Sequence, residues 1–226
     1  MGLLERLYKD LFTDTTPPIF KLIQDGDIEG LRKYGSFDTK QAYESYPPIM
    51  YALQKTKRNS YMVVEFLIGA GCDVNARDSY TAVQYTPLMT AVNNKESSLD
   101  MAKLLLKNGA NVNARSIAGA SALSTTLFTL RLDVLDMLKI NHANFNLHDF
   151  EGNTIFHQLV STSLSHYFPN VNEQRILFEQ YIKRLVDYGA NPKASNKAGL
   201  LPTELETWGH RPDNCKAMKK LLSKYI

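Results

Sequence analysis

The feature that most constrains this chain is a turn that recurs. Gly71-Cys72-Asp73-Val74-Asn75-Ala76-Arg77 is nearly repeated by Gly109-Ala110-Asn111-Val112-Asn113-Ala114-Arg115. Weaker copies stand at His142-Ala143-Asn144-Phe145-Asn146 and Gly189-Ala190-Asn191-Pro192. Each copy follows an apolar run of helical periodicity: Val63 to Leu67, Met101 to Leu106, Val134 to Leu138 and Ile182 to Val186. A helix that ends four times in the same turn describes a stack of short units, because one unit alone cannot bury its own core and leans on its neighbours. Gly71, Gly109 and Gly189 stand just past the helix ends, where a left-handed backbone is least costly without a Cβ. His142 takes that place in the third copy, which predicts a strained turn there.

A second signature precedes each run. Thr86-Pro87-Leu88-Met89-Thr90-Ala91 is its fullest form, and Gly152-Asn153-Thr154-Ile155-Phe156-His157 keeps a threonine and adds a histidine. Looser forms are Pro17-Pro18-Ile19-Phe20, Pro47-Pro48-Ile49-Met50-Tyr51-Ala52 and Ser121-Ala122-Leu123-Ser124. A threonine hydroxyl caps a helix, and proline suits the first helical position, where its missing N–H costs nothing.

In these residues the chain resembles the ankyrin family over nearly its whole length. The resemblance implies an all-α, ankyrin-repeat solenoid of helix–turn–helix repeats joined by β-hairpin fingers, about six units in all. The units run at about 17–45, 46–77, 78–115, 116–148, 149–195 and 196–226, behind an N-terminal amphipathic helix over 1–16. The first and last are degenerate, as units with one side in water must be. The last closes at Leu221-Leu222 without a Gly-Ala turn, which reads as a natural end of the stack. Against the family's period of about 33 residues, the turn spacings are 38, 33 and 47. The first excess lies in a lengthened finger, Asp78 to Tyr85, and the last in an insertion over 161–174 between two helices of one repeat. Insertions in repeat proteins emerge on one face, often the binding face.

Composition narrows the classes of function. With 44% hydrophobic and 22% charged residues the chain is globular rather than disordered. The net charge of +3 comes from scattered basic residues, so no nucleic-acid footprint is expected. No apolar run is long enough to span a bilayer, and Met1 to Phe12 alternates apolar and charged residues without the apolar core of a signal peptide. Arg6 stands where the myristoylation pattern wants Ser or Thr, so no membrane partner is expected. The two cysteines, Cys72 and Cys215, lack a partner motif and suit a reducing, cytoplasmic setting. None of the five histidines forms an H-x-x-x-H pair and no phosphate-binding glycine loop occurs, so no metal and no cofactor are expected. His157 matches the family's histidine that hydrogen-bonds between neighbouring turns.

The register of the resemblance places the variable, partner-facing positions at the finger tips and at the end of each first helix. The third unit contributes Arg77, Ser79, Tyr80, Tyr85, Asn93 and Asn94, and the fourth Arg115, Ile117, Ala118, Ala120, Phe128 and Thr129. From the fifth come His148, Phe150, Glu151, Asn153, Ser161 and Thr162, and from the last Lys197, Ala198 and Trp208. Tyr80, Tyr85, Phe128, Phe150 and Trp208 are aromatic where the fold does not demand it, and Tyr167 and Phe168 lie in the insertion. Aromatics with arginine nearby are the composition of an interface hot spot. The competing reading packs Tyr85 and Phe128 on the next repeat and seals the stack with Trp208.

The expected function is a monomeric protein–protein interaction module that grips a partner protein through its concave face, finger tips and insertion. Irregular repeats rich in Asn, Lys and Tyr look like those of ankyrin proteins from large DNA viruses and intracellular bacteria, which implies an effector or decoy acting on host signalling, in the host-cell cytosol. Two alternatives stand beside it. Cys215, with His210 and Asp213 near in sequence, could serve a cysteine-dependent enzyme, although its place in the last apolar helix favours core packing. A structural subunit would instead dock the Met1 to Phe12 helix on a larger complex.

Overall fold

The computed structural model describes residues 16–79, 83–94, 99–162, 174–205 and 212–226. The N-terminal helix expected over 1–16 falls almost wholly outside them. The chain divides into two compact units, Met1–Asp73 and Val74–Ile226.

In the first unit, α1 (Pro18–Asp25) and α2 (Ile28–Tyr34) form one helix pair, and α3 (Pro48–Lys55) and α4 (Ser60–Gly69) the next. Pro18 and Pro48 each occupy the first helical position. The chain leaves α1 through Gly26 at φ 65°, and Asp27 starts α2 by accepting the Gly30 N–H at 2.9 Å. α1 packs on α2 and α3, and α3 on α4. Ile19, Phe20, Ile23, Leu31, Ile49, Met50, Val63, Val64 and Leu67 are buried between them. Phe20 meets the edge of Tyr51 with ring centroids 5.1 Å apart.

The second unit carries four further pairs. α5 (Pro87–Asn93) pairs with α6 (Leu99–Lys107), and α7 (Ala122–Thr125), extended by a 3-10 turn over Thr126–Phe128, pairs with α8 (Leu132–Ile140). Next come α9 (Ile155–Thr162) with α10 (Arg175–Asp187), and a 3-10 turn at Pro202–Glu204 with α11 (Pro212–Leu222). The first helices α5, α7 and α9 pack in one row, and α6, α8 and α10 in a second. Leu88, Leu105, Leu123, Leu135, Leu138, Phe156, Ile182 and Leu185 fill the space between the rows.

Three kinds of polar stitch join successive repeats of this unit. Asn75, Asn113 and Asn146 each reach the next turn with both ends of the side-chain amide. Their Nδ2 groups donate to the carbonyls of Gly109, His142 and Gly189, and their Oδ1 atoms accept the N–H groups of Asn111, Asn144 and Asn191. His142 adopts φ 60°, the left-handed backbone that the sequence predicted to be strained. Deeper in the core, the Thr126 hydroxyl meets the buried Tyr181 hydroxyl across α7 and α10, and burial pushes the Tyr181 phenol well above its usual pKa. His157, fully buried on α9, accepts from Thr154 at Nδ1 and donates from Nε2 to the Leu200 carbonyl at 2.9 Å. That is the turn-bridging role expected of it. Burial lowers its pKa, so the neutral ring is favoured.

The fingers differ from the expected β-hairpins. Among the described residues they form no sheet, only tight hairpin turns closed by two backbone bonds each: the N–H groups of Ser116, Asp149 and Asn196 donate to the carbonyls of Ala120, Asn153 and Leu200, and those of Gly119, Gly152 and Gly199 donate back to Ser116, Asp149 and Asn196, all near 3 Å. An isolated bridge pairs His148 with Thr154. Five residues per finger leave no length for a strand ladder, and neighbouring fingers touch through single bonds such as Ile117 N–H to Val83. The longer finger from Asp78 closes in the same way, with Tyr85 returning its N–H to Asp78 Oδ2 at 2.9 Å. Gln84 at φ 55° supplies the left-handed residue before closure, a place held by Gly119 and Gly152 in the shorter fingers.

Candidate functional site

Between the fingers and the row of first helices, the second unit holds an open cleft of about 310 Å³. Val83 and Tyr85 border it from one finger, and Ala118 and Ala120 from the next. Ser124, Thr125, Leu127 and Phe128 come from α7 and its 3-10 turn, Asp149 and Asn153 from a third finger, and Gln158, Ser161 and Thr162 from α9.

The finger side is built on one repeated device. The first residue of each turn accepts backbone N–H groups from residues further along, and serine, aspartate and asparagine all serve in that place. Ser116 Oγ accepts from Ala118 and Ala120, Asp149 Oδ1 from Glu151 and Asn153, and Asn196 Oδ1 from Ala198 and Leu200. Asp78 takes the role in the long finger. Close stacking of the fingers excludes side chains at their bends: a Cβ at Gly152 would lie 2.8 Å from the Lys197 nitrogen.

The helix side presents a polar stripe, Gln158, Ser161 and Thr162, at the i, i+3, i+4 spacing that shares one helical face. The serine and threonine hydroxyl protons along the cleft are already given to this chain's own backbone. Ser124 donates to the Ser121 carbonyl, Thr125 to Ala122, Ser161 to His157 and Thr162 to Gln158, at 2.7–3.1 Å. Asn153 spends both amide protons on Asp149 and Glu151, and Gln158 gives one to the Asn153 carbonyl.

Comparisons with known proteins agree on the architecture. Residues 19–116 match the family model for ankyrin repeats in three copies. An ankyrin repeat protein of Fowlpox virus (strain NVSL) is 35% identical over 154 residues, which is 68% of this chain and 42% of the viral protein. The chain thus aligns with about two fifths of that relative's length. A solved ankyrin repeat domain from Acinetobacter baumannii AYE superposes with a TM-score of 0.69, covering 92% of this chain and 96% of that domain at 21% identity. This is an ankyrin-repeat fold. Ankyrin repeats are generally protein–protein interaction modules and typically not enzymes, and among the described residues no helix is long and apolar enough to cross a membrane.

The ankyrin register distributes the sequence-predicted residues unevenly. Tyr85, Phe128 and Asn153 line the cleft together with Ala118, Ala120, Ser161 and Thr162. Ile117 and Phe150 stand out on the fingers, 51% and 57% exposed, and Arg115 lies over the Phe150 ring at 5.1 Å. Two nitrogens of Arg115, Nε and Nη2, are buried without a hydrogen-bond partner. Arg77 ties finger to finger by donating to the Arg115 carbonyl at 2.6 Å. The Glu151 carbonyl does the same by accepting from Lys197 N–H, while its carboxylate accepts from Asn153. His148 is exposed beside the Asp149 carbonyl, and Asn93 is exposed at the end of α5. Tyr80, Tyr167, Phe168 and Trp208 lie outside the described residues, as does most of the 161–174 insertion.

The cleft also contains residues that the ankyrin register did not single out: Val83, Ser124, Thr125, Leu127, Asp149 and Gln158. For Ser124, Thr125 and Gln158 the available signal was polarity on helices that are otherwise buried. Cys215 is 3% exposed on α11, Asp213 is exposed, and His210 is outside the described residues. Cys72 is equally internal, and burial pushes its thiol up to about 11.

Proposed function

We propose that this chain binds a partner protein in the cleft of the Val74–Ile226 unit and along the fingers beside it. The supporting observation is the pairing of half-buried aromatics inside the cleft, Tyr85 and Phe128, with exposed apolar and cation–aromatic groups on the adjoining fingers, Ile117, Phe150 and Arg115. Aromatic and arginine side chains in well-packed, desolvated settings carry much of the energy in protein interfaces. Ser161 and Thr162, where the sequence-predicted 161–174 insertion begins, line the cleft.

The likeness to the Fowlpox virus protein supports a setting in which the partner is a host protein and the chain acts as an effector or decoy. Affinity capture from host-cell lysate with the wild-type chain and with the Phe128→Ala/Phe150→Ala variant tests the face. Proteins retained by the wild type are lost from the variant while its melting cooperativity is kept. Retention of the same proteins by a folded variant rules the face out.

A further inference from the structure

We infer that the cleft receives a basic side chain, an arginine or lysine of the partner protein, with its cationic head directed at Asp149. The inference rests on the reading of the cleft as the binding face and goes further in naming the chemistry of what enters it.

Three observations carry it. The first is the balance of donors and acceptors. Ser124, Thr125, Ser161 and Thr162 have each given their one hydroxyl proton to a backbone carbonyl, and Asn153 has given both amide protons. What these five side chains still offer an incoming ligand is lone pairs, so at them the ligand must bring the protons. Lysine and arginine heads carry donors and no acceptors.

The second is charge. Asp149 is the one ionisable group lining the cleft besides the Tyr85 phenol, and no Lys, Arg or His lines it among the described residues. Among the described residues Asp149 forms no ion pair. A cation close by is Arg115, which rests on Phe150; a Cβ at Gly119 would lie 3.2 Å from Asp149 Cβ and 3.3 Å from Arg115 Nη2. Arg115 lies outside the cleft lining, and among the described residues it makes no ion pair with Asp149.

The third is that the turn does not need a carboxylate at Asp149. Ser116 and Asn196 hold equivalent fingers with a hydroxyl and an amide oxygen. The negative charge at 149 is thus surplus to the fold. Leu127 and Phe128 offer apolar surface for the aliphatic stem of an arginine or lysine, and the aromatic faces attract its head.

The test is titration of the isotope-labelled full chain by NMR with two pentapeptides, acetyl-Gly-Leu-Arg-Leu-Gly-amide and its counterpart with glutamate at the centre, at physiological salt. The arginine peptide shifts the backbone amides of Ala120, Thr125, Phe128 and Asn153, and the glutamate peptide does not. Asp149→Asn weakens the arginine peptide about tenfold or more with an otherwise native spectrum. Gln158→Lys, which puts the chain's own cation in the cleft, abolishes the shifts.

Equal or stronger binding of the glutamate peptide overturns the inference, as does an unchanged affinity in a folded Asp149→Asn chain. If Phe128→Ala still loses captured proteins while neither peptide nor Asp149→Asn has an effect, the basic side chain is refuted and the cleft stands as the binding face. If Phe128→Ala also captures normally, both readings fall.

Discussion

The two edges of the Val74–Ile226 unit solve the same stacking problem with different freedom. At the helix-end turns, asparagine recurs at 75, 113 and 146, and each uses donor and acceptor together on the neighbouring turn. At the fingers the equivalent structural residue is Asp78, Ser116, Asp149 or Asn196, because the turn asks only for an oxygen that accepts. A position that must both give and accept is narrow in sequence. One that must only accept can vary, and the variation is available to set the charge of the cleft.

The largest expected effect lies in the core behind the finger edge. His157 links α9 to the last finger through the Leu200 carbonyl, so His157→Ala removes a buried hydrogen bond and leaves a cavity. A loss of about 3 kcal/mol in urea unfolding is expected. The wild-type histidine should also show itself as a pH dependence. Its folded pKa lies below the ordinary 6.5, so between 6.5 and that lower value the unfolded chain binds a proton that the folded chain does not. Stability therefore falls as pH drops through that window and is unaffected by this group above it. A urea midpoint that is as acid-sensitive in His157→Ala as in the wild type contradicts the assignment.

Next in size is the asparagine edge. Asn113→Ala removes the bonds to the His142 carbonyl at 3.3 Å and from the Asn144 N–H at 2.7 Å. Both are exposed to water, so the expected cost is about 1–2 kcal/mol rather than the larger penalty of a buried pair. Unfolding that shows no cost would mean that the clasp only decorates the stack.

How far these features could be read beforehand follows from how local they are. Pro87 at the first turn of α5 and the Met101 to Leu106 run of α6 declare their helices within a few residues, so six helix pairs were legible from the chain. The recurring asparagines were legible as a motif, although the clasp itself needs a neighbour some 30 residues away to be seen. Thr126 and Tyr181, 55 residues apart, leave no mark on each other's local sequence. Gln84 carries a left-handed backbone without the glycine that would announce it. In the cleft, Tyr85, Phe128 and Asn153 followed from the register, while Ser124, Thr125 and Gln158 resemble ordinary helix-surface residues until the fingers are placed opposite them.

The smallest stability effect is expected at the finger edge, and it is the sharpest test of the contrast. Asp149→Asn keeps an oxygen to accept the Glu151 and Asn153 N–H groups, as Asn196 does for its own finger. The Asn153 amide loses a charged acceptor at 3.1 Å, a modest and partly exposed bond. Unfolding free energy should change by no more than about 0.5 kcal/mol. The reciprocal exchange on the other edge, Asn146→Asp, keeps the acceptor for the Asn191 N–H but removes the donor to the Gly189 carbonyl and sets a negative charge beside it. It should cost about 1 kcal/mol or more. The same two side chains are thus exchanged in opposite directions, and only one direction should be felt. Equal costs in chemical denaturation would show that the finger depends on its carboxylate as strongly as the turn depends on its amide, and the charge at 149 would then belong to the fold.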